Sequence, residues 1–143
     1  MDTTTIMRQF NEFERKHISL VNGVQVSEDG LVKFVSNGTY GSYISYFDFP
    51  EDEAEKRVLR EIEYFKKKGV CFEWKTYTTD TPSTLSQVLL RHGFVQEETE
   101  SFMVLDLNDY DAKPFNDSEI TQVTDAQGIR DAIEVQQQVW GET

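Results

Sequence analysis

Between Val70 and Leu107 the order of residues leaves little choice of local structure. Val70, Phe72 and Trp74 fall at alternate positions, the period of a strand with one strongly apolar face. Thr81 is a capping residue, and Pro82 suits a first helical position, where a missing N–H costs nothing. Leu85, Val88 and Leu89 add one apolar stripe, so the spacing predicts a helix over 82–92. Gly93 stands where a chain leaves a helix through a left-handed residue, and Phe94 re-enters the sheet. Ser101–Leu107 is apolar enough for a well-covered strand that closes a hairpin.

Upstream, Ile6, Phe10, Phe13 and His17 recur at spacings of three and four, which predicts an amphipathic helix over Thr3–Ile18, capped by Thr3 or Thr5. His17 ends that stripe as a partly buried structural imidazole, with no second histidine nearby to make it a ligand. Val24–Val26 and Leu31–Val35 alternate as strands around Ser27-Glu28-Asp29-Gly30, a turn by composition. Asn37-Gly38 is a second hairpin signal. It leads to an aromatic strand from Tyr40 to Phe47, with Ile44 and Tyr46 on one face and Tyr43, Ser45 and Phe47 on the other.

The longest helix is expected from Pro50 to Lys68. Glu51, Asp52, Glu53 and Glu55 face the positive end of its dipole and Lys66, Lys67 and Lys68 the negative end. Ala54, Val58, Leu59, Ile62 and Phe65 form its buried stripe, and Gly69 stops it. After Leu107 the composition turns polar through Asn108–Ser118, a linker by its turn residues. Ile120–Val123 then reads as a strand, and Asp125 caps a helix with Ile129, Ala132, Ile133, Val139 and Trp140 on one face.

Composition narrows the partners. A formal net charge of −12 would repel nucleic acid and anionic membranes. Cys71 is the sole cysteine, expected as a small core residue within a strand, so no internal disulfide can form and a cytoplasmic location follows. Two histidines with seventy-four residues between them, without cysteine pairs, do not suggest a metal. Glu97-Glu98 and Asp109/Asp111 are expected as solvated turns rather than general bases.

The ordered set Phe72-Glu73-Trp74-Lys75, Pro82, Leu85, Leu89, Gly93-Phe94 and Met103 resembles the GNAT-type N-acetyltransferases. More narrowly, it is similar to the N-terminal domain of bacterial two-domain GNAT proteins, in element order over residues 24–107. The resemblance implies an α+β fold (α/β three-layer) with a mixed, mostly antiparallel sheet flanked by helices. It implies a GNAT-like domain over 1–109, a linker over 110–118, and over 119–143 the first strand and helix of a truncated second domain. In the full-length protein it implies acetyl-CoA-dependent acyl transfer to an amine, with the chemistry in the C-terminal domain, which is this part's expected partner.

The family binds the pyrophosphate of acetyl-CoA through an Arg/Gln-x-x-Gly-x-Gly/Ala loop at the start of the helix after the fourth strand. By element order that place is Phe47-Asp48-Phe49-Pro50-Glu51-Asp52, which has no glycine, a proline that removes a donor, and carboxylates. No catalytic, cofactor-binding or metal residue is therefore assigned, and no cofactor is expected on residues 1–109. Two alternatives stay open: a non-enzymatic ligand-binding or homodimerisation module of GNAT-like fold, and a single-domain enzyme with an aberrant cofactor loop.

Overall fold

Asp29 and Gly30, both at positive φ (49° and 74°), join strand β1 (Gly23–Glu28) to strand β2 (Leu31–Ser36). Two such residues make the tight turn whose twist matches an antiparallel hairpin. A Cβ on Gly30 would collide with the carbonyl oxygen of Asp48, whose own N–H donates to the Gly30 carbonyl at 2.8 Å. Strand β3 (Ser42–Phe47) continues the antiparallel order, and β4 (Phe72–Trp74) pairs with β3 in parallel. The sheet runs β1-β2-β3-β4. In this computed structural model, which describes residues 2–111 and 113–141, the chain is α+β, its sheet mixed and mostly antiparallel.

Parallel neighbours need a crossover, and α2 (Ala54–Lys68) supplies it, entered through a 3₁₀ turn at Glu51–Glu53 and closed by Gly69 at φ 68°. Ala54, Val58 and Phe65 bury against Leu31, Val35, Ile44 and Phe47 of the sheet, joined by Leu85, Val88 and Leu89 of α3 (Leu85–Arg91). Phe72 stacks on Phe65, and Phe94 meets Phe72 edge-on.

Several expectations are corrected. Leu59 lies outside the α2 stripe, 48% exposed, while Glu61 takes its place in the core. The register slips between β2 and β3, pairing Val32 with Tyr46 and Lys33 with Ile44, so Ser45 is an extra residue. That bulge sets Ile44 and Phe47 on the same buried face, where strict alternation would part them. The 82–92 helix starts later, at Leu85, because Thr81 is extended and bridges Asp48 in parallel. Residues 101–107 form no strand, and Met103 is 86% exposed. Phe94 likewise packs on the sheet from a non-strand segment.

The chain divides into two compact units, residues 1–103 and 104–143. The expected 110–118 linker falls wholly inside the second. That unit holds helix α4 (Ala126–Trp140), capped by Asp125 Oδ1 accepting from Gly128 N–H at 2.8 Å. Ile120–Val123 is not a strand, and no residue of α4 is buried. Ala112, Glu142 and Thr143 lie outside the described residues, so the expected 119–143 segment is described to Gly141. No described helix is long and apolar enough to cross a membrane.

Candidate functional site

The N-terminal helix is where local sequence and observed geometry part company. Asp2, rather than either threonine, caps α1 (Thr3–Phe10) by accepting from Thr5 N–H at 3.0 Å. The helix then widens into a π turn at Asn11–Arg15. One inserted residue rotates every later side chain, so Phe13 swings into solvent (72% exposed) and Arg15 into the interior. His17 is exposed rather than partly buried, its Nδ1 against the Glu12 carbonyl.

Arg15 fills a gap in the sheet. The parallel ladder of β3 and β4 runs to the bond from Lys75 N–H to the Ile44 carbonyl at 3.1 Å, and the two segments meet again at Asp48 and Thr81. Between those points Arg15 Nε donates to the carbonyl of the bulged Ser45 at 2.6 Å. Its Nη1 and Nη2 grip the carboxylate of Asp80 at 2.6 and 2.9 Å, and the guanidinium lies 4.4 Å from the centre of the Tyr77 ring. Asp80 also accepts from Tyr77 N–H at 2.9 Å, while Ser45 Oγ donates to the Arg15 carbonyl at 2.6 Å. Burial pushes the Tyr77 phenol up.

Beside this pair a groove of about 400 Å³ opens between α1, the π turn, Tyr46 and Thr79. Lys16 Nζ stands 2.5 Å from Glu12 Oε1 and 4.6 Å from the centre of the Tyr46 ring. The hydrogen bond to Glu12 holds the Lys16 ammonium above its ordinary value, and the same bond holds the Glu12 carboxyl below its own. Both shifts lead away from neutrality, so this pair offers no proton to exchange near pH 7. The groove is lined by the hydroxyl-bearing Thr3, Thr4, Tyr46 and Thr79 and by this ion pair.

The entry to α2 lies where the resemblance would put a pyrophosphate loop. Three of the carboxylates there, Glu51, Glu53 and Glu55, each have a partner. Glu51 Oε1 accepts from Thr84 Oγ1 at 2.8 Å, Glu53 Oε2 from Arg57 at 2.7 and 2.9 Å, and Glu55 Oε1 faces His92 Nε2 at 2.9 Å. Glu51 and Glu55 thereby tie the start of α2 to the two ends of α3. An anionic ligand would meet a rim of carboxylates and no glycine, so the residues present do not fit a pyrophosphate.

The other sequence candidates are scattered. Cys71 is exposed just before β4, not buried within it. Glu97, Glu98, Asp109 and Asp111 are exposed. Among the described residues no group of three or more His, Cys, Asp or Glu is placed to hold a metal. Sequence reasoning missed Arg15 and Asp80, since nothing in the linear order announces a π turn. It missed Lys33 and Glu61 too, although a lysine inside Leu31–Val35 and a glutamate on the Val58–Phe65 stripe were visible signals. Comparison with family models, with curated proteins and with solved structures returned no match to this chain.

Proposed function

We propose that this chain is the N-terminal region of a GNAT-family N-acetyltransferase, with acyl transfer from acetyl-CoA to an amine carried out elsewhere in the full-length protein and this part non-catalytic. The support is topological. An antiparallel run of three strands, a long helix, and a fourth strand parallel to the third follow the element order that the resemblance implies. The observation that carries the non-catalytic half is the entry to α2, where Glu51, Glu53 and Glu55 are committed to Thr84, Arg57 and His92.

A second reading, a non-enzymatic ligand-binding module, draws on the polar groove beside Tyr46 and Lys16. Calorimetric titration of acetyl-CoA into the chain tests the first. No heat is expected up to about millimolar ligand, a limit of roughly −4 kcal/mol. A micromolar dissociation constant would overturn the reading of the Asp48–Asp52 loop and restore the single-domain enzyme. Assay of the full-length product for acetylation of an amine tests the rest.

A further inference from the structure

The chain contains two Asn-Gly pairs, Asn22-Gly23 and Asn37-Gly38. The β1–β2 hairpin brings them side by side, with Asn37 N–H donating to the Asn22 carbonyl at 2.9 Å. Both asparagines are exposed. An asparagine amide before glycine is open to attack by the next backbone nitrogen, since glycine has no Cβ to hinder the approach. The attack requires the intervening peptide plane to turn until that nitrogen reaches Cγ. Here the two pairs differ. Gly23 is the first residue of β1, opposite Ser36, and a Cβ there would meet the Val35 carbonyl oxygen at 2.3 Å and the Phe34 ring at 2.4 Å. Turning its peptide plane would drive the backbone into these groups and open the end of the hairpin. Gly38 lies in the loop between β2 and β3, where a Cβ would meet nothing nearer than Ser36 Oγ at 3.6 Å. Neither Asn37 nor Gly38 is at positive φ, so the pair is not locked in a tight hairpin turn. The Gly38 N–H donates to Ser36 Oγ at 3.1 Å and to no backbone carbonyl among the described residues.

We propose that Asn37 is a site of spontaneous deamidation and isomerisation, and that the fold spares Asn22. Gly38 N, having lost its proton to hydroxide, attacks Asn37 Cγ. The new N–Cγ bond closes a cyclic imide as the Cγ–Nδ2 bond breaks, and ammonia leaves with a proton taken from water. Water then opens the imide at either carbonyl, giving aspartate or isoaspartate. Both products add one carboxylate to a chain of net charge −12. The isoaspartyl linkage also puts one more carbon into the main chain, two residues before Thr39. The Thr39 carbonyl accepts from Cys71 N–H at 2.9 Å, which ties the loop to the segment leading into β4, and the longer main chain displaces that tie. This inference uses no part of the acetyltransferase reading and survives its failure.

Mass mapping of the full chain after incubation in warm, mildly alkaline buffer tests it, with enzymatic methylation of isoaspartate as the second readout. Trypsin separates the two pairs, into residues 17–33 and 34–56. The peptide holding Asn37 should gain about 1 Da and accept a methyl group, while the peptide holding Asn22 stays unchanged. Gly38→Ala, which the loop accommodates, should unfold at the wild-type midpoint and convert about tenfold more slowly. In urea, where no strand holds Gly23, both pairs should convert at similar rates. Asn37 unchanged in the folded chain overturns the proposal, and so does conversion of Asn22 at an equal rate. Gly38→Ala converting as fast as the wild type would place the reaction elsewhere. Asn22 unreactive in urea as well would show that the fold is not what spares it, and overturns that half.

Discussion

Lys33 Nζ lies 2.5 Å from Glu61 Oε2, and both side chains are shut off from solvent between β2 and α2. The ammonium also sits 3.7 Å from the centre of the Tyr64 ring, and Glu61 Oε1 accepts from Arg60 Nε at 3.0 Å. Removing two charges from water is expensive, and the pair is tolerable only because each charge has a partner in contact. It pins one register of α2 over β2, since a helix shifted by one turn would leave both charges buried and alone.

Lys33→Met and Glu61→Leu should therefore each cost about 3–5 kcal/mol, because each strands the opposite charge in the core. The double change Lys33→Met with Glu61→Leu should cost less than either single change. Urea unfolding of the four proteins reads the difference. Additive costs would show that the two groups act independently.

Arg15 cannot be replaced by lysine at similar cost. The planar fork makes two bonds to Asp80 and one to the Ser45 carbonyl, and a single ammonium cannot span all three. Arg15→Lys should lose about 1–3 kcal/mol, and it should free the π turn from β3. The check is faster amide exchange over residues 11–16 than over β2. An equal increase over both, or no change, would mean that the turn is held by its other contacts.

What could be read from the order of residues followed from local rules. Gly69 at φ 68° and Gly93 at φ 87° end their helices because only a residue without Cβ turns left-handed at no cost. Leu85, Val88 and Leu89 are buried as their spacing requires. The misreadings came where one residue is inserted or where a partner decides. The bulge at Ser45 and the π turn at Asn11–Arg15 each shift the phase of a pattern, and no single residue type announces them. Leu59 and Glu61 traded places because Lys33, far off in sequence, recruits the carboxylate. Ser101–Leu107 has the composition of a strand, but composition cannot supply the neighbour that a strand needs. The candidate groove was invisible for the same reason: Tyr46 and Thr79 reach it only through the fold.

Acid and alkali should each weaken the first unit, through different groups. The Thr5 N–H bond lowers the Asp2 carboxyl, and the Lys16 bond lowers Glu12. A carboxyl lowered on folding contributes above its ordinary value, and that contribution is lost as pH falls through the lowered one. Burial raises the Tyr77 phenol, so its contribution is present below the ordinary phenol value and lost as pH rises through the raised one. Asp2→Ala should flatten part of the acid limb of thermal unfolding, and Tyr77→Phe part of the alkaline limb. Unchanged limbs in both variants would count against these assignments.

Finally, the chain should survive loss of everything after Asp109. The buried cluster runs from Leu31 to Leu89, with Phe94 packed against it, so a cut at that point removes none of its members. The Arg15–Asp80 and Lys33–Glu61 pairs also lie upstream. Downstream, α4 has no buried residue, while Ile129, Ile133, Val139 and Trp140 are exposed. Apolar surface of that extent favours association with whatever is at hand. The shortened chain should unfold cooperatively at the same denaturant midpoint, with a smaller tendency to aggregate. A lower midpoint, or loss of cooperativity, would show that residues beyond Asp109 belong to the first folding unit.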